Sequence, residues 1–275
     1  RRTHKYCNNL KLNGHEETIR NKTGLVLDPY FSATKVKWIL DNVNGARDKA
    51  EEGDLLFGTI DTFLIYKLTG HQNHFTDVTN ASRTMLFNIH NLEWDKELLD
   101  VLNVPKSILP KLVDSSQKIG SIDPSIIGSS GIEICGIAGD QQAALFGQMC
   151  VNPGDVKNTY GTGCFCMMNT GESFVMSKNK MLSKIAWRIN GEITYALEGS
   201  VFVAGALIQW LRDKLGIIKS SPEVEELAKT VDDNGGLTFI PALSGLAAPY
   251  WDPYVQGTIF GITRGTENGH IARAA

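Results

Sequence analysis

The 275 residues exceed one average domain, and 42% hydrophobic with 21% charged residues supply an ordinary globular core, which excludes disorder as a description of the whole. A net charge of −3 and a pI near 6.1 leave no basic face to hold nucleic acid or an acidic membrane, so neither partner is expected. The longest apolar runs, such as 201–210, are too short to cross a bilayer; no leader opens the sequence, and five cysteines, an odd number, point to a reduced, cytoplasmic compartment.

In chain order, residues 1–23 read as a polar helix. Asp28, Pro29 and Tyr30 form a turn, after which Ser32 is placed to cap a helix whose Val36, Ile39, Leu40 and Val43 make one apolar stripe. A helix follows over 55–69, closed by Gly70, then a loop or short strand over 74–84 and short helices over 92–102 and 105–112. The apolar run 132–138 is a strand ending at Gly139 and Asp140, and 141–148 turns helical. The turn cluster 151–155 is the clearest internal boundary, so two α/β lobes are expected, 1–150 and 151–275. In the second, 157–160 and 164–169 form a hairpin around Gly161, Thr162 and Gly163, and 185–187 and 193–197 extend its sheet. A strong helix is expected over 200–215, a weaker one over 223–231, and a strand over 237–241 that enters a long loop, 242–257. The sequence opens on Arg1 and stops within a helical pattern begun at His270, so a piece of a longer protein, cut at both ends, is expected.

Chemistry concentrates at few places. Asp140 stands where an apolar strand gives way to a helix, the usual position of a site in an α/β sheet. Its carboxylate can take the proton of an attacking hydroxyl, the part a phosphoryl-transfer enzyme must supply, or it can simply cap the helix. Gln141 beside it offers a donor and an acceptor to a hydroxyl-bearing ligand. The turn at Gly161, Thr162 and Gly163 lets backbone N–H groups approach phosphate oxygens, although any hairpin also favours glycine there. Gly205 and Gln209, four apart on one helical face, suit either close helix packing or a nucleotide. Neither a P-loop nor a dinucleotide-binding glycine loop is present, and no His or Cys spacing makes a metal site. Cys164 and Cys166 share a strand face and read as small hydrophobes, while Tyr250, Trp251 and Tyr254 suit either a cleft lining or a domain contact.

Several stretches together match a family. Tyr30-x-Ser32-x-x-Lys35-Val36-x-Trp38-Ile39-x-Asp41-Asn42 resembles the first signature of the FGGY carbohydrate kinases, which act on fuculose, gluconate, glycerol and xylulose. Gly257-x-Ile259-x-Gly261-Ile262, followed after seven residues by His270-Ile271-x-x-Ala274-Ala275, resembles the second signature without its last two positions. Within the family, 24–32, 80–89, 136–148, 158–165 and 248–254 resemble the glycerol-phosphorylating members. The resemblance implies an α/β fold of the actin/hexokinase ATPase type, with two ribonuclease-H-like lobes, both incomplete here. It implies ATP-dependent conversion of glycerol to sn-glycerol 3-phosphate with Mg²⁺, and a homo-oligomeric full-length form. Residue by residue, Asp140 matches the family's base; Tyr30, Asp140 and Gln141 match glycerol contacts, and Phe165 an apolar contact to the glycerol carbons. Gly161 and Thr162 match the phosphate turn of the second lobe, and Gly205 and Gln209 nucleotide-binding positions.

The family's first phosphate hairpin, its glycerol-binding Arg-Glu pair and a Trp against the carbon face would precede residue 1, and the adenine-holding Gly-Gly region would follow Ala275. The 275 residues alone are therefore expected to lack kinase activity, since phosphoryl transfer depends on complete positioning and charge neutralisation. Two other readings stand beside glycerol phosphorylation: a sister kinase of a pentulose, and a non-catalytic kinase-like binding protein.

Overall fold

A computed structural model describes residues 2–275, which form two compact units. The first comprises residues 2–157, Met167–Lys178 and Leu182–Glu198; the second comprises Asn158–Cys166, Asn179–Met181 and Gly199–Ala275.

The first unit opens on two helices, His4–Leu12 and His15–Thr23, rather than one. Gly14, at φ +81°, takes a left-handed conformation that ends a continuous helix and starts another. Gly24 then brings the backbone against the sheet: a Cβ there would lie 2.1 Å from the Ser183 carbonyl oxygen, so only glycine allows the Ser183 N–H to reach the Gly24 carbonyl at 3.0 Å. The next helix, Ser32–Asn42, has buried Phe31 at its N-cap position; Ser32 is inside the helix and caps nothing. Ala33, Val36 and Leu40 face inward, but Ile39 and Val43 are half exposed, so the buried stripe is narrower than the apolar one. Residues 54–59 are irregular, and the helix expected over 55–69 is confined to Ile60–Leu68.

The 74–84 stretch, polar in sequence, is buried structure. Phe75–Asp77 pairs in parallel with Lys111–Val113, which also replaces the end of the helix expected over 105–112. Asp77 then caps the short helix Val78–Ala81, its carboxylate accepting from the Thr79 and Asn80 N–H groups.

The central sheet runs in the order Glu133–Gly136, Ser116–Ser121, Leu182–Ile189, Glu192–Val201, Cys164–Gly171, Val156–Tyr160. Side chains alternate between its faces. Ile185 and Tyr195 pack with Val78, Ala81, Phe87 and Ile89, whereas Ala186 and Ala196 pack with Leu145, Cys150 and Met167. Burial from both sides explains why 182–187 lacks the apolar–polar alternation of a strand with one wet face. Helix Asp140–Gly147 supplies Leu145 to this layer, so the strand-to-helix corner at residue 140 is anchored by core packing.

From Gly199, near the end of strand Glu192–Val201, the second unit continues into a helix that begins only at Gly205 and ends at Trp210, followed by a wider turn, Leu211–Leu215. The helix expected over 200–215 thus starts late, because residues 200 and 201 complete the strand and 202–204 are irregular, and it passes into the wider turn after Trp210. Thr238–Ile240 pairs antiparallel with Thr258–Phe260, and helices Glu223–Ala228 and Asn268–Ala274 pack together. Trp251 is buried, stacks edge-on against Phe202 and donates its indole N–H to the Lys180 carbonyl at 2.8 Å, which leaves Tyr250 and Tyr254 exposed on their loop. The five cysteines are free thiols. Among the described residues, no helix is long and apolar enough to cross a membrane.

Candidate active site

In the first unit, Asp140 is the first residue of its helix and is solvent-exposed. Gly139, not Asp140, holds the N-cap position, and no side chain caps the helix. The carboxylate accepts one hydrogen bond, from the Gln141 N–H at 2.8 Å. The capping alternative therefore does not describe this residue, whose carboxylate remains open to solvent. A proton acceptor needs that access.

The corner is braced from behind. Asp77, fully buried, accepts from the Thr79 hydroxyl at 2.8 Å, the Asn80 amide at 2.9 Å and the Ser115 hydroxyl at 2.7 Å. Burial pushes its carboxyl up, against the opposing pull of these donors. The Thr79 hydroxyl in turn accepts the Gly139 N–H at 2.8 Å, which fixes the backbone one residue before Asp140. Thr79→Val keeps the shape but removes that acceptor, leaving the Gly139 N–H without its partner. We expect a loss of about 1–3 kcal/mol in urea unfolding.

Gln141 is half-buried, and its side-chain oxygen accepts from the ammonium of Lys157, itself buried. Gln142 turns inward and donates to the Ile185 carbonyl at 3.3 Å, tying the same helical turn to the sheet. On the sheet face that packs against this helix, Lys184 and Glu198 form a buried ion pair. They are diagonal neighbours across the antiparallel pair, because Lys184 stands opposite Ala196 and Glu198 opposite Leu182. Glu198 also accepts from Arg83 at 3.4 Å. Burial pulls the Lys184 ammonium down to about 8; Glu198 opposes this, while the positive charges of Arg83 and Lys157 add to it.

Tyr30 lies at the N-terminal edge of helix Ser32–Asn42, its N–H bonded to Asp28 at 2.8 Å and its carbonyl to the Lys35 ammonium at 2.8 Å. The Arg83 guanidinium lies 5.5 Å from the Tyr30 ring centroid and 5.2 Å from that of Phe31. A run of contacts thus leads from Tyr30 through Arg83 to Glu198 and Lys184. Of these groups, the sequence reading singled out only Tyr30 and Gln141. For Lys184 and Glu198 the signal was a charge directly beside an apolar run, 185–187 and 195–197, since charges in such places are seldom buried without partners.

In the second unit, the structure brings Gly161, Thr162 and Gly205 together, with Gln209 four residues further along the helix. Gly161 and Thr162 form an exposed turn, and the first turn of the Gly205–Trp210 helix is bonded to it. The N–H groups of Ala204 and Ala206 reach the Thr162 carbonyl at 2.8 and 3.2 Å, and that of Gly205 reaches the Gly161 carbonyl at 3.0 Å. Gly205 is consequently not a mid-helix glycine. A Cβ there would lie 2.7 Å from the Gly161 oxygen, and one at Gly163 2.4 Å from the Val201 oxygen, so both positions exist for backbone contact. A Cβ at Gly161 would meet nothing closer than 4.0 Å; that side of the turn is open. Gln209 is exposed one helical turn beyond Gly205. Phe165 is half-buried on strand Cys164–Gly171.

Residues 1–147 match the model for the N-terminal domain of the FGGY family of carbohydrate kinases, and residues 156–275 match that for its C-terminal domain. A glycerol kinase of Deinococcus radiodurans is 58% identical over 275 residues, covering 100% of this chain and 54% of its own length. Glycerol kinase 2 of Thermotoga maritima is 59% identical over 274 residues, 55% of its length. The chain thus spans about half the length of the curated relatives it matches. Among solved structures, Plasmodium falciparum glycerol kinase with ADP superposes with a TM-score of 0.85 at 36% identity, over 98% of this chain and 54% of that one. A xylulose kinase of Lactobacillus acidophilus superposes at 0.82 with 25% identity, again over 98% and 54%. The mixed α/β build is accordingly of the actin/hexokinase type. With both family models matched in order along its length, the chain belongs to the FGGY family of carbohydrate kinases.

Proposed function

We propose that the protein carrying this chain is a glycerol kinase of the cytoplasm, acting in glycerol catabolism: it transfers the γ-phosphoryl group of ATP to a primary hydroxyl of glycerol, yielding sn-glycerol 3-phosphate and ADP. Residues 1–150 would belong to the polyol-binding, base-bearing lobe and 151–275 to the nucleotide-binding one. The observation that carries the reading is Asp140, an open carboxylate on a corner braced by Thr79 and Leu145, with the Gln141 amide beside it. The chain's 58–59% identity to glycerol kinases supports glycerol over a larger sugar.

In this reading Asp140 accepts the proton of the attacking hydroxyl, while Tyr30 and Gln141 orient the polyol and Phe165 stands against its carbons. Thr162 presents its backbone N–H and hydroxyl to phosphate oxygens, a chemistry that the exposed, open turn fits, while the Gly161 N–H closes the turn onto the Gly163 carbonyl at 2.9 Å. Gly205 and Gln209 continue that surface toward the rest of the nucleotide. Among the described residues, no three His, Cys, Asp or Glu side chains cluster to hold a metal. The Mg²⁺ of the reaction is proposed to arrive on the nucleotide phosphates, mostly hydrated, as this ion commonly does.

The test is ADP release by the full-length protein with glycerol, xylulose and gluconate. Glycerol is expected to give the highest kcat/KM. Preference for xylulose would replace the reading with that of a sister sugar kinase, and polyol binding without turnover would make this a kinase-like binding protein. The 275 residues alone are expected to release no ADP in the same assay, since about half of each relative is absent from them.

A further inference from the structure

We infer that Lys157 is a positioning residue for the polyol, holding the Gln141 carboxamide with its oxygen turned inward so that its NH₂ is presented beside Asp140. The inference rests on the proposed polyol phosphorylation.

An amide has two ends of opposite hydrogen-bonding character, and a half-exposed glutamine can ordinarily turn either toward a ligand. Here that choice is removed. The Lys157 ammonium has three donors and no acceptor, so only the amide oxygen can meet it, and the contact observed is to Oε1. Lys157 is itself only 6% exposed, on strand Val156–Tyr160 at the sheet edge, so the cation belongs to the framework rather than to a mobile surface chain. Gln142, the next residue, is pinned to the sheet through Ile185, and the Gln141 N–H is engaged by Asp140. The side-chain nitrogen of Gln141 is what this arrangement turns toward a ligand.

The chemical consequence is a division of labour at one corner. Asp140, when ionised, only accepts; Gln141, oriented by Lys157, only donates. A diol meets both requirements, since one hydroxyl can give its proton to Asp140 while a neighbouring hydroxyl oxygen accepts from the amide. A ligand that offers only acceptors, such as a carboxylate or phosphate, satisfies Gln141 but meets repulsion at Asp140. Lys157 would thereby contribute to selection of a neutral polyol without touching it.

The experiment uses the full-length protein and steady-state kinetics with glycerol as varied substrate. Lys157→Met frees the amide to turn, and we expect glycerol KM to rise about tenfold with a much smaller fall in kcat. Lys157→Arg restores a donor to Oε1 and should bring KM back to within about threefold of the parent. In the Gln141→Ala background, Lys157→Met should add little, because the group it orients is gone. A KM unmoved by Lys157→Met, or effects of Lys157→Met and Gln141→Ala that simply multiply, would overturn the inference while leaving the kinase reading intact. So would failure of Lys157→Arg to restore KM in a variant whose thermal unfolding matches the parent. If Lys157→Met does not fold, the Arg variant and Gln141→Glu decide: the added carboxylate also meets the ammonium but offers no donor, and should raise KM as much as Gln141→Ala does. A parent protein with no activity on any polyol would reject both the kinase reading and this one.

Discussion

Asp140→Asn in the full-length protein is expected to lower kcat by about 10²- to 10⁴-fold, the range that general-base catalysis contributes. The substitution keeps size and shape and removes only the ability to take a proton. Asp140 is exposed and accepts a single hydrogen bond, from its neighbour's N–H, which an amide oxygen can equally accept. Stability should therefore stay within about 0.5 kcal/mol of the parent, as at surface positions generally. The expected pattern is a folded protein that still binds glycerol and has lost the chemical step. Single-turnover phosphorylation measured alongside glycerol binding checks it. Parent-like kcat would remove Asp140 from the mechanism.

The largest effect on stability is expected from Glu198→Ala. Lys184 and Glu198 are 1% and 0% exposed, and Glu198 is also the carboxylate that Arg83 meets. Removing one member of a buried pair leaves the other charge in a medium that cannot solvate it, at a cost of about 3–5 kcal/mol. Replacing both members, as in Lys184→Met with Glu198→Leu, should recover much of that loss, because the desolvation cost disappears with the pair. The comparison is made by urea unfolding of the two variants and the parent. A pH series gives a further check on its origin. The folded chain releases the Lys184 proton at about 8 and the unfolded one near the ordinary 10.5. Between those values the unfolded state binds more protons, so this group's contribution to stability rises with pH across that window. In Lys184→Met that rise should be absent.

Much of the fold was legible residue by residue. The strand-to-helix corner at Gly139 and Asp140, the Gly161 to Gly163 turn and the sheet strands around 185 and 195 follow from local patterns: an apolar run, a glycine pair, a change of period. The misplaced elements share a cause. A polar, threonine-rich stretch at 74–84 reads as a loop, yet Asp77, Thr79, Ser82 and Thr84 are buried because their side chains hydrogen-bond one another and the backbone. The helix expected from residue 200 starts at Gly205 because residues 200 and 201 finish a strand, where tertiary pairing outweighs helix propensity, and 202–204 are an irregular link.

For the site, the sequence by itself determined which groups are available: a carboxylate after a strand, an amide beside it, and a two-glycine turn bearing a hydroxyl. Those identities depend on covalent chemistry and short-range geometry, which neighbouring residues set. Tertiary structure alone decided that Asp140 is left open while Gly139 takes the cap, that Thr79 holds the corner, and that Lys157 orients Gln141. These depend on contacts 60 and 16 residues apart in the chain, and on a low-dielectric interior in which a charge must find its partner.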